Sequence, residues 1–263
     1  MQRSSGRCIL GVCQVPDTTR FARLVQTLMS VTIAPYLPTL RAGRWFAQLP
    51  ETFSDALLDM AKLRHLQTGD ALFLRGGPPC GLYALVRGSI RVSGLVDAHN
   101  DTREALLILL TPPTWFAEIS VFDGSTRTHD AHAAEPSTLL HVPHEALQAW
   151  LHAHPQHWRD LALLMADKLR MAFINMEEQA VLSASVRVMR RLVQMAQGYG
   201  QGADDSSSRR TLAITQEQLA LMIGVSRQTT NQILNDLKSH DLIRVHRGAL
   251  EIVDLAALRE LCL

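Results

Sequence analysis

The chain has 263 residues, 47% of them hydrophobic, and this length and apolar content predict two small domains with buried cores. The formal net charge is +1, so overall charge does not announce a nucleic-acid partner, and any such contact must depend on local placement of charge. No apolar run reaches the ~18–20 residues needed to cross a bilayer, which excludes a membrane-spanning protein and favours a soluble one.

The N-terminal part of the chain differs in composition from the rest. Residues 1–50 hold six arginines and one acidic residue, Asp17. We interpret residues 1–44 as an N-terminal extension, with a short amphipathic helix from Phe21 to Leu28 as the alternative to an unstructured tail. The chain's four cysteines form neither a zinc nor a disulfide pattern; they are Cys8, Cys13, Cys80 and Cys262.

Residues 45–154 show the pattern of a small barrel. A helix is expected from about Trp45, followed by strands on either side of the turn at Gly69–Asp70 and a hairpin over residues 82–92. Residues 94–104 are expected to form a polar loop, and residues 105–110 a buried strand that ends before two prolines. Short strands separated by glycine turns predict a β-barrel or jelly roll.

A long helix is predicted over residues 155–182, with a hinge near residues 183–185. Apolar residues recur every three or four positions along it and form a seam typical of a dimer interface: Ala162, Met165, Leu169, Ala172 and Met176. Further apolar residues, including Leu161, Leu164 and Phe173, indicate a second face that packs on the barrel. Three histidines at its start are expected to be a solvated helix end rather than a metal site: His152, His154 and His157.

The last eighty residues, 184–263, carry the strongest signal. Thr215 can cap a helix as part of a capping box with Gln218, Gly224 permits a tight turn, and Ser226 can cap a second helix. The polar face of that second helix suits the major groove, where Arg bonds guanine and Gln or Asn bonds adenine. Residues 242–253 then read as a hairpin around Arg247, and Asp254 as the cap of a closing helix.

These motifs closely resemble the winged helix of the cyclic-AMP receptor protein / fumarate-nitrate reduction regulator (Crp/Fnr) superfamily of bacterial transcription regulators. The resemblance rests on residues 215–220, 224–229 and 237–243, and extends more loosely from about residue 45. It implies an α+β chain with an N-terminal cyclic-nucleotide-binding-type β-barrel over 45–154, a dimerisation helix and hinge over 155–183, and a winged helix-turn-helix over 184–263. A cytoplasmic location is also implied.

The same resemblance assigns DNA contacts. Arg227 and Gln228 are expected to contact bases first, with Asn231 or Gln232 next. Thr215 and Ser226 are expected to contact phosphates at helix starts, and Arg247 to do so from the hairpin. The partners implied are a palindromic double-stranded DNA operator, a second copy of the chain, and RNA polymerase through the loop over residues 198–208.

Residues 115–128 resemble the family's phosphate-binding cassette. In that cassette a Glu accepts a hydrogen bond from the ribose hydroxyl of a cyclic nucleotide, and an Arg nine residues later pairs with the phosphate. Glu118 and Arg127 match these two residues in identity and spacing, and Thr128 matches the hydroxyl residue beside the Arg. The residue before the Glu is normally Gly, but here it is Ala117. The two helix positions that meet the adenine correspond to Ala172 and Phe173, which cannot hydrogen-bond it. Cyclic AMP, another small ligand, and no ligand, with Glu118 and Arg127 paired to each other, therefore all remain open.

We therefore predict a homodimeric regulator that couples a small-molecule or redox signal in the barrel to operator binding. The alternative is a module that acts through protein partners without specific DNA binding. An iron–sulfur cluster is not expected, since only Cys8 and Cys13 lie close together near the N-terminus. Haem is not expected either, since the clustered histidines are interpreted as a solvated helix end. An enzyme is not expected either, because the sequence has no nucleophile–base pair, metal triad or phosphate-binding Walker loop.

Overall fold

A computed structural model describes residues 33–98, 101–200 and 211–262. The expected helix over Phe21–Leu28, Cys8, Cys13 and most of the 198–208 loop lie outside the described residues. Within the described part, no helix has the length and apolar content needed to cross a bilayer.

Four short helical elements precede the first strand. A 3₁₀ turn, Ala34–Tyr36, leads into α1 (Leu37–Arg41), α2 (Arg44–Ala47) and α3 (Glu51–Met60). Ile33 and Leu40 are buried in the same core as barrel residues such as Leu82 and Leu140. The barrel domain therefore begins before residue 45, because apolar residues of the expected extension complete its core.

The barrel consists of two antiparallel four-stranded sheets. One has the order β1 (Lys62–Leu66), β8 (Ser137–Pro143), β3 (Gly81–Arg87), β6 (Thr114–Phe116). The other has the order β2 (Ala71–Phe73), β7 (Asp130–Ala133), β4 (Ile90–Ala98), β5 (Asp101–Leu110). Two short helices complete the domain, α4 (Ile119–Asp123) and α5 (His144–Ala153). The predicted jelly-roll type of barrel is confirmed.

Two local predictions about these strands are wrong. The expected hairpin over 82–92 does not form, because β3 and β4 lie in different sheets. Gly88 joins them with a φ of +87°, and a Cβ there would lie 2.3 Å from the hydroxyl oxygen of Ser137, so the crossing needs glycine. The described residues of the stretch 94–104 are not a loop, since residues 94–98 of β4 pair with residues 101–105 of β5.

A long helix follows the barrel. A 3₁₀ turn over Pro155–His157 leads into α6 (Trp158–Val181). The first turns of α6 are fixed to the N-terminal helices, since the Trp45 indole donates to the Asp160 carbonyl at 2.8 Å and Arg44 forms a 2.7 Å ion pair with Asp167. Leu161 and Leu164 are fully buried in the barrel core. The expected second face is confirmed there, but Phe173 is 54% exposed and does not belong to it.

The C-terminal part is a winged helix. Its elements are α7 (Ala184–Ala196), β9 (Thr211–Leu212), α8 (Gln216–Ile223), α9 (Arg227–Ser239), β10 (Ile243–His246), β11 (Ala249–Ile252) and α10 (Leu255–Glu260). Ser183 caps α7 by accepting from the Val186 amide. The core of this domain also contains Leu106 and Leu109 of β5. The winged helix therefore packs directly against the barrel.

Candidate nucleic-acid interface and ligand cavity

Local hydrogen bonds define the start of both helices of the helix-turn-helix. The Thr215 hydroxyl accepts from the Gln218 amide at 3.1 Å, and the Gln218 side chain accepts from the Thr215 amide at 2.9 Å. Gly224 ends α8 with a φ of +72°. Ser226 then caps α9 by accepting from the Thr229 amide at 3.0 Å. These contacts confirm the predicted caps and the turn glycine.

Helix α9 separates apolar from polar residues cleanly. Its buried residues are Thr230, Ile233, Leu234 and Leu237. Its polar side chains form an exposed surface, which we call the α9 surface: Arg227, Gln228, Asn231, Gln232 and Asn235. The side chains of Asn231 and Asn235 share a 3.3 Å hydrogen bond. The other three side chains, Arg227, Gln228 and Gln232, are exposed on the same side of the helix.

The hairpin lies beside the starts of α8 and α9. Thr215, Arg227, His246 and Gly248 line one cleft of about 320 Å³. Arg247 is exposed at the hairpin turn next to it. On the hairpin, Glu251 pairs with both Arg244 (3.5 Å) and His246 (3.1 Å), and the hydrogen bond with His246 is the main cause of the lowered pKa of Glu251. The structure thus brings the predicted DNA-contacting residues Thr215, Ser226, Arg227 and Arg247 to one side of the domain.

The cassette residues lie in the wall of a separate, larger cavity of about 670 Å³. Ala117, Glu118, Arg127 and Thr128 all line it. Ala117 has a φ of +75°, a conformation that favours glycine, so the structure shows why a glycine is expected there. The Thr128 hydroxyl lies 2.9 Å from Nδ1 of His129. The structure therefore brings the four predicted ligand residues together.

Glu118 and Arg127 do not pair with each other, contrary to the reading in which the pocket lacks a ligand. Glu118 is 3% exposed and pairs at 2.5 Å with Lys168 of α6. Arg127, also 3% exposed, donates to the carbonyls of Ala117 and Gly81 and to the Cys80 sulfur at 2.7–3.0 Å. Its guanidinium lies 4.6 Å from the centre of the Phe73 ring.

Sequence reasoning missed several residues of the cavity wall. Lys168 could have been found, because it lies one helical turn before Ala172, which the resemblance had already placed at the pocket and which does line it. Phe173, the other such position, does not line the cavity. Arg187, Arg191 and Tyr199 also line it, but these residues follow the hinge and no local pattern connects them with the barrel.

Burial shifts the pKa values of two residues in the cavity wall, Tyr199 and His129. It raises the pKa of Tyr199 to about 12, although Arg191 acts in the opposite direction through its charge and a hydrogen bond. Burial lowers the pKa of His129, and the nearby charge of Arg75 lowers it further while Asp130 opposes both. The neutral forms of both side chains are therefore favoured in the cavity.

The structure also bears on metal binding. Within residues 33–98, 101–200 and 211–262, no group of three or more His, Cys, Asp or Glu side chains is arranged to hold a metal ion. Cys80 and Cys262 are free thiols. His157, one of the three histidines before α6, is buried and bonds Asp160 at 2.7 Å, so the expectation that these histidines form a solvated helix end is wrong for it.

Comparison with known proteins matches both halves of the chain to described families. Residues 63–154 match the cyclic nucleotide-binding domain, and residues 186–261 match the Crp-like helix-turn-helix domain. A CRP-like cAMP-activated global transcriptional regulator of Mycobacterium tuberculosis is 29% identical over 71% of this chain and 81% of its own length. The cyclic AMP receptor protein of Thermus thermophilus is 28% identical over 79% of this chain and 91% of its own length.

Solved structures agree with this fold. FixK2 from Bradyrhizobium japonicum superimposes with a TM-score of 0.65 at 19% identity, over 76% of this chain and 96% of its own. A CRP/FNR-family transcriptional regulator from Thermus thermophilus, TTHA1359, does so with a TM-score of 0.59 at 23% identity, over 76% and 98%. These similarities support the arrangement of barrel, long helix and winged helix.

Proposed function

This chain belongs to the Crp/Fnr family of DNA-binding transcription regulators, and from that premise we propose that it is a homodimer that binds a palindromic operator under the control of a small effector. As a regulator of promoters it works in the bacterial cytoplasm and contacts RNA polymerase. The observation that carries the proposal is the α9 surface, whose polar side chains stand exposed on a helix that is capped at its start and buried along its other side.

The roles of the surface residues follow from their positions. Arg227 and Gln228 lie in the first turn of α9 and reach base edges first, and Asn231 and Gln232 lie one turn later. The Thr215 hydroxyl accepts from a backbone amide, which leaves its own proton to donate to a phosphate oxygen. The Ser226 hydroxyl accepts from the Thr229 amide and shares a 2.8 Å hydrogen bond with the Thr229 hydroxyl, so it can donate to a phosphate oxygen when Thr229 is the donor of that bond. Arg247 reaches a phosphate from the hairpin.

The second half of α6 supports the dimer. Its exposed apolar side chains include Leu169 (54% exposed), Phe173 (54%), Met176 (64%) and Val181 (82%). A row of such side chains on one helix favours burial against a second helix. A parallel pair of α6 helices would present two α9 surfaces to successive major grooves, which requires a spacing of about 34 Å.

The cavity supports effector control. A cyclic nucleotide would place its phosphate at Arg127 and Thr128 and its ribose at Glu118, where it competes with Lys168. Because relatives of this chain are named as cAMP-activated, cyclic AMP is the first effector to test, and another small ligand of the same cavity is the second. Ligand control requires that the ligand bind two arrangements of the dimer with different affinity.

The test of DNA binding uses the full chain and a fragment of its own upstream region at low ionic strength. Arg227→Ala removes a base contact worth about 1–3 kcal/mol, so the affinity should fall about 5- to 150-fold. Arg159→Ala, which removes an exposed arginine at the start of α6, is the matched control and should change nothing. Equal affinities of the Arg227 variant and the unaltered protein would rule out the recognition role of α9.

Two results would favour the alternative of a module that acts through protein partners. The first is a complete lack of binding to every duplex at low salt, where phosphate contacts are strongest. The second is a monomer in sedimentation experiments.

The effector is tested separately. Cyclic AMP should raise the melting temperature of the unaltered protein but not of Arg127→Lys. If millimolar cyclic AMP leaves the melting temperature unchanged, cyclic AMP is ruled out as the effector and the DNA proposal is unaffected.

A further inference from the structure

The cavity extends beyond the cassette to the winged helix. Its wall continues from Glu118 and Arg127 past α6 to Arg187 and Arg191 of α7, and ends at Met222 and Ile223 of α8 and at the turn residue Gly224. Residues of both domains therefore line one continuous cavity. The part bounded by β5, α7 and α8 is far from the phosphate cassette in chain order and is not used by the proposed cyclic-nucleotide contacts; we call it the hinge chamber.

Among the residues that the structure describes, no carboxylate balances the positive charge of the hinge chamber. Its wall includes Glu178, but that carboxylate pairs with Arg190 at 3.1 Å. Across the described residues, neither Arg187 nor Arg191 forms an ion pair with a carboxylate. Partly buried guanidinium groups without a counter-charge are costly, and an anion in the chamber would offset that cost.

Unsatisfied polar atoms lie in the same wall. Nε of Arg187 and Oδ1 of Asn175 are both buried without a hydrogen-bond partner. Buried polar atoms in folded proteins are almost always bonded, so such atoms facing a cavity indicate groups that a ligand would satisfy. Nε of Arg187 can donate to an anionic oxygen, and Oδ1 of Asn175 can accept from a water or a hydroxyl.

The rest of the hinge chamber is apolar. Leu106 and Ile108 of β5 face it together with Met222 of α8. Leu107 and Leu221 also line the cavity, and each remains about 43% exposed. An apolar wall with a few polar groups at one end is the usual form of a small-molecule site.

We propose that the hinge chamber binds an anionic amphiphile, a molecule with an apolar body of alkyl or aryl carbon and one carboxylate or phosphate group. The anion lies against Arg187 and Arg191, and the apolar body lies along β5 and α8. Arg127 is not assigned to this anion, because it belongs to the cassette, where the proposed function places the phosphate of a cyclic nucleotide. The ligand therefore binds at a place distinct from the cassette.

This site touches the turn of the helix-turn-helix directly. Arg187 donates from Nη1 to the carbonyl of Ile223 at 3.0 Å, at the end of α8. The next residue is Gly224, and a Cβ added to it would lie 3.3 Å from Nε2 of Gln179 on α6. An anion that draws Arg187 toward the chamber would change the contact that positions α8 and α9. This regulatory consequence rests on the proposed function, whereas binding itself does not.

The binding test uses the full-length protein and decanoate as the probe. Decanol supplies the same apolar body without the charge, and acetate supplies the charge without the body. Decanoate should raise the melting temperature progressively as its concentration increases, while decanol should need an at least about tenfold higher concentration for the same shift, as expected for the loss of a charge-assisted hydrogen bond. Acetate should have no effect. Equal effects of decanoate and decanol would overturn the anion assignment.

Single substitutions place the anion. Arg191→Gln and Arg187→Gln should each weaken decanoate binding about tenfold or more, Arg191→Lys should retain part of it, and Arg159→Gln should not change it. Retained binding in both Gln variants, or binding lost only in Arg127→Lys, would overturn the proposal. Arg187 also bonds α8, so Arg187→Gln can destabilise the protein. In that case the comparison of Arg191→Gln with Arg191→Lys decides the question.

The DNA readout separates this proposal from the proposed function. If decanoate binds as described but the protein never binds DNA, the hinge chamber stands and the regulator proposal fails. If the protein binds DNA but decanoate neither stabilises it nor changes its DNA affinity, the hinge chamber fails and the regulator proposal stands.

Discussion

The α9 surface and the cassette differ in what their polar groups already contact. On α9 the side chains of Arg227, Gln228 and Gln232 point away from the domain, and the helix is held from its other side. In the cassette, Glu118 and Arg127 are almost completely buried and are bonded to Lys168, Cys80 and two carbonyls. A partner can therefore add contacts to the α9 surface, but a ligand of the cassette has to replace contacts that the protein has made for itself.

The largest expected effect tests whether stability and recognition lie on opposite sides of α9. Leu234 is fully buried, so Leu234→Ala should lower the free energy of unfolding of the winged helix by about 2–5 kcal/mol. Gln228→Ala, on the exposed side of the same helix, should leave it within about 0.5 kcal/mol. Chemical denaturation of both variants measures the difference. Similar decreases in the free energy of unfolding of the two variants would show that stability and DNA recognition do not depend on opposite sides of α9.

The next effect concerns the internal partner of the cassette. Lys168→Ala leaves the buried carboxylate of Glu118 without its cation and should destabilise the protein by about 1–3 kcal/mol. The double variant Glu118→Gln, Lys168→Met removes both charges and should recover part of that loss. Arg170→Ala is the matched control, since its ion pair with Asp167 is on the surface, where Arg170 is 72% exposed, and should cost less than about 1 kcal/mol. A Lys168 variant as stable as the unaltered protein would contradict the internal pairing.

A smaller effect tests the local origin of the helix-turn-helix. Thr215→Ala removes the hydroxyl that accepts from the Gln218 amide and should cost about 1 kcal/mol. Ser239→Ala removes a hydroxyl at the C-terminal end of α9, where it bonds the Asp236 carbonyl and lies 3.4 Å from Nδ1 of His240 but caps no helix start, and should cost less. Thermal unfolding monitored by circular dichroism compares the two. An inert Thr215 variant would mean that packing alone positions α8.

The smallest effect is a pH dependence at the cassette. Because the pKa of His129 is lowered in the folded protein, the unfolded chain binds a proton more readily, and stability should fall as pH decreases from about 6.5 toward the lowered value. His129→Gln should weaken this acid sensitivity, while exposed His152→Gln should not. Melting temperatures between about pH 7.5 and 5 measure the difference, and parallel curves for His129→Gln and the unaltered protein would contradict it.

The same comparison shows what could be predicted from sequence. The helix-turn-helix was predictable because the bonds that define it join residues three or four apart, as in Thr215–Gln218 and Ser226–Thr229. The cassette motif was also recognisable, but its partners were not, because Lys168 lies fifty residues from Glu118. The passage of the chain from one sheet to the other at Gly88 was missed for a related reason. A glycine turn between two strands of alternating pattern predicts a hairpin, but here each of the two strands pairs with at least one strand that is distant in the sequence.

The prediction of a loop over residues 94–104 failed because glycine, aspartate, histidine and asparagine are typical of turns. In the described residues the pairing of β4 with β5 nonetheless continues as far as Ala98 and Asp101. The hinge chamber could not be predicted at all. It is formed by Arg187 and Leu106, residues from different domains that come together only when the winged helix packs on β5.

The two contacts from Arg44 and Trp45 hold the N-terminal half of α6 in place. They reach Asp160 and Asp167, and Lys168 pairs with Glu118 of the barrel at the same level, so the first three turns of the helix are held against the barrel. The contacts from Arg44 and Trp45 reach no further along the helix than Asp167. Any bending of α6 is thereby directed to its C-terminal half, where a small change in angle near Lys168 becomes a larger displacement at the end that carries α7.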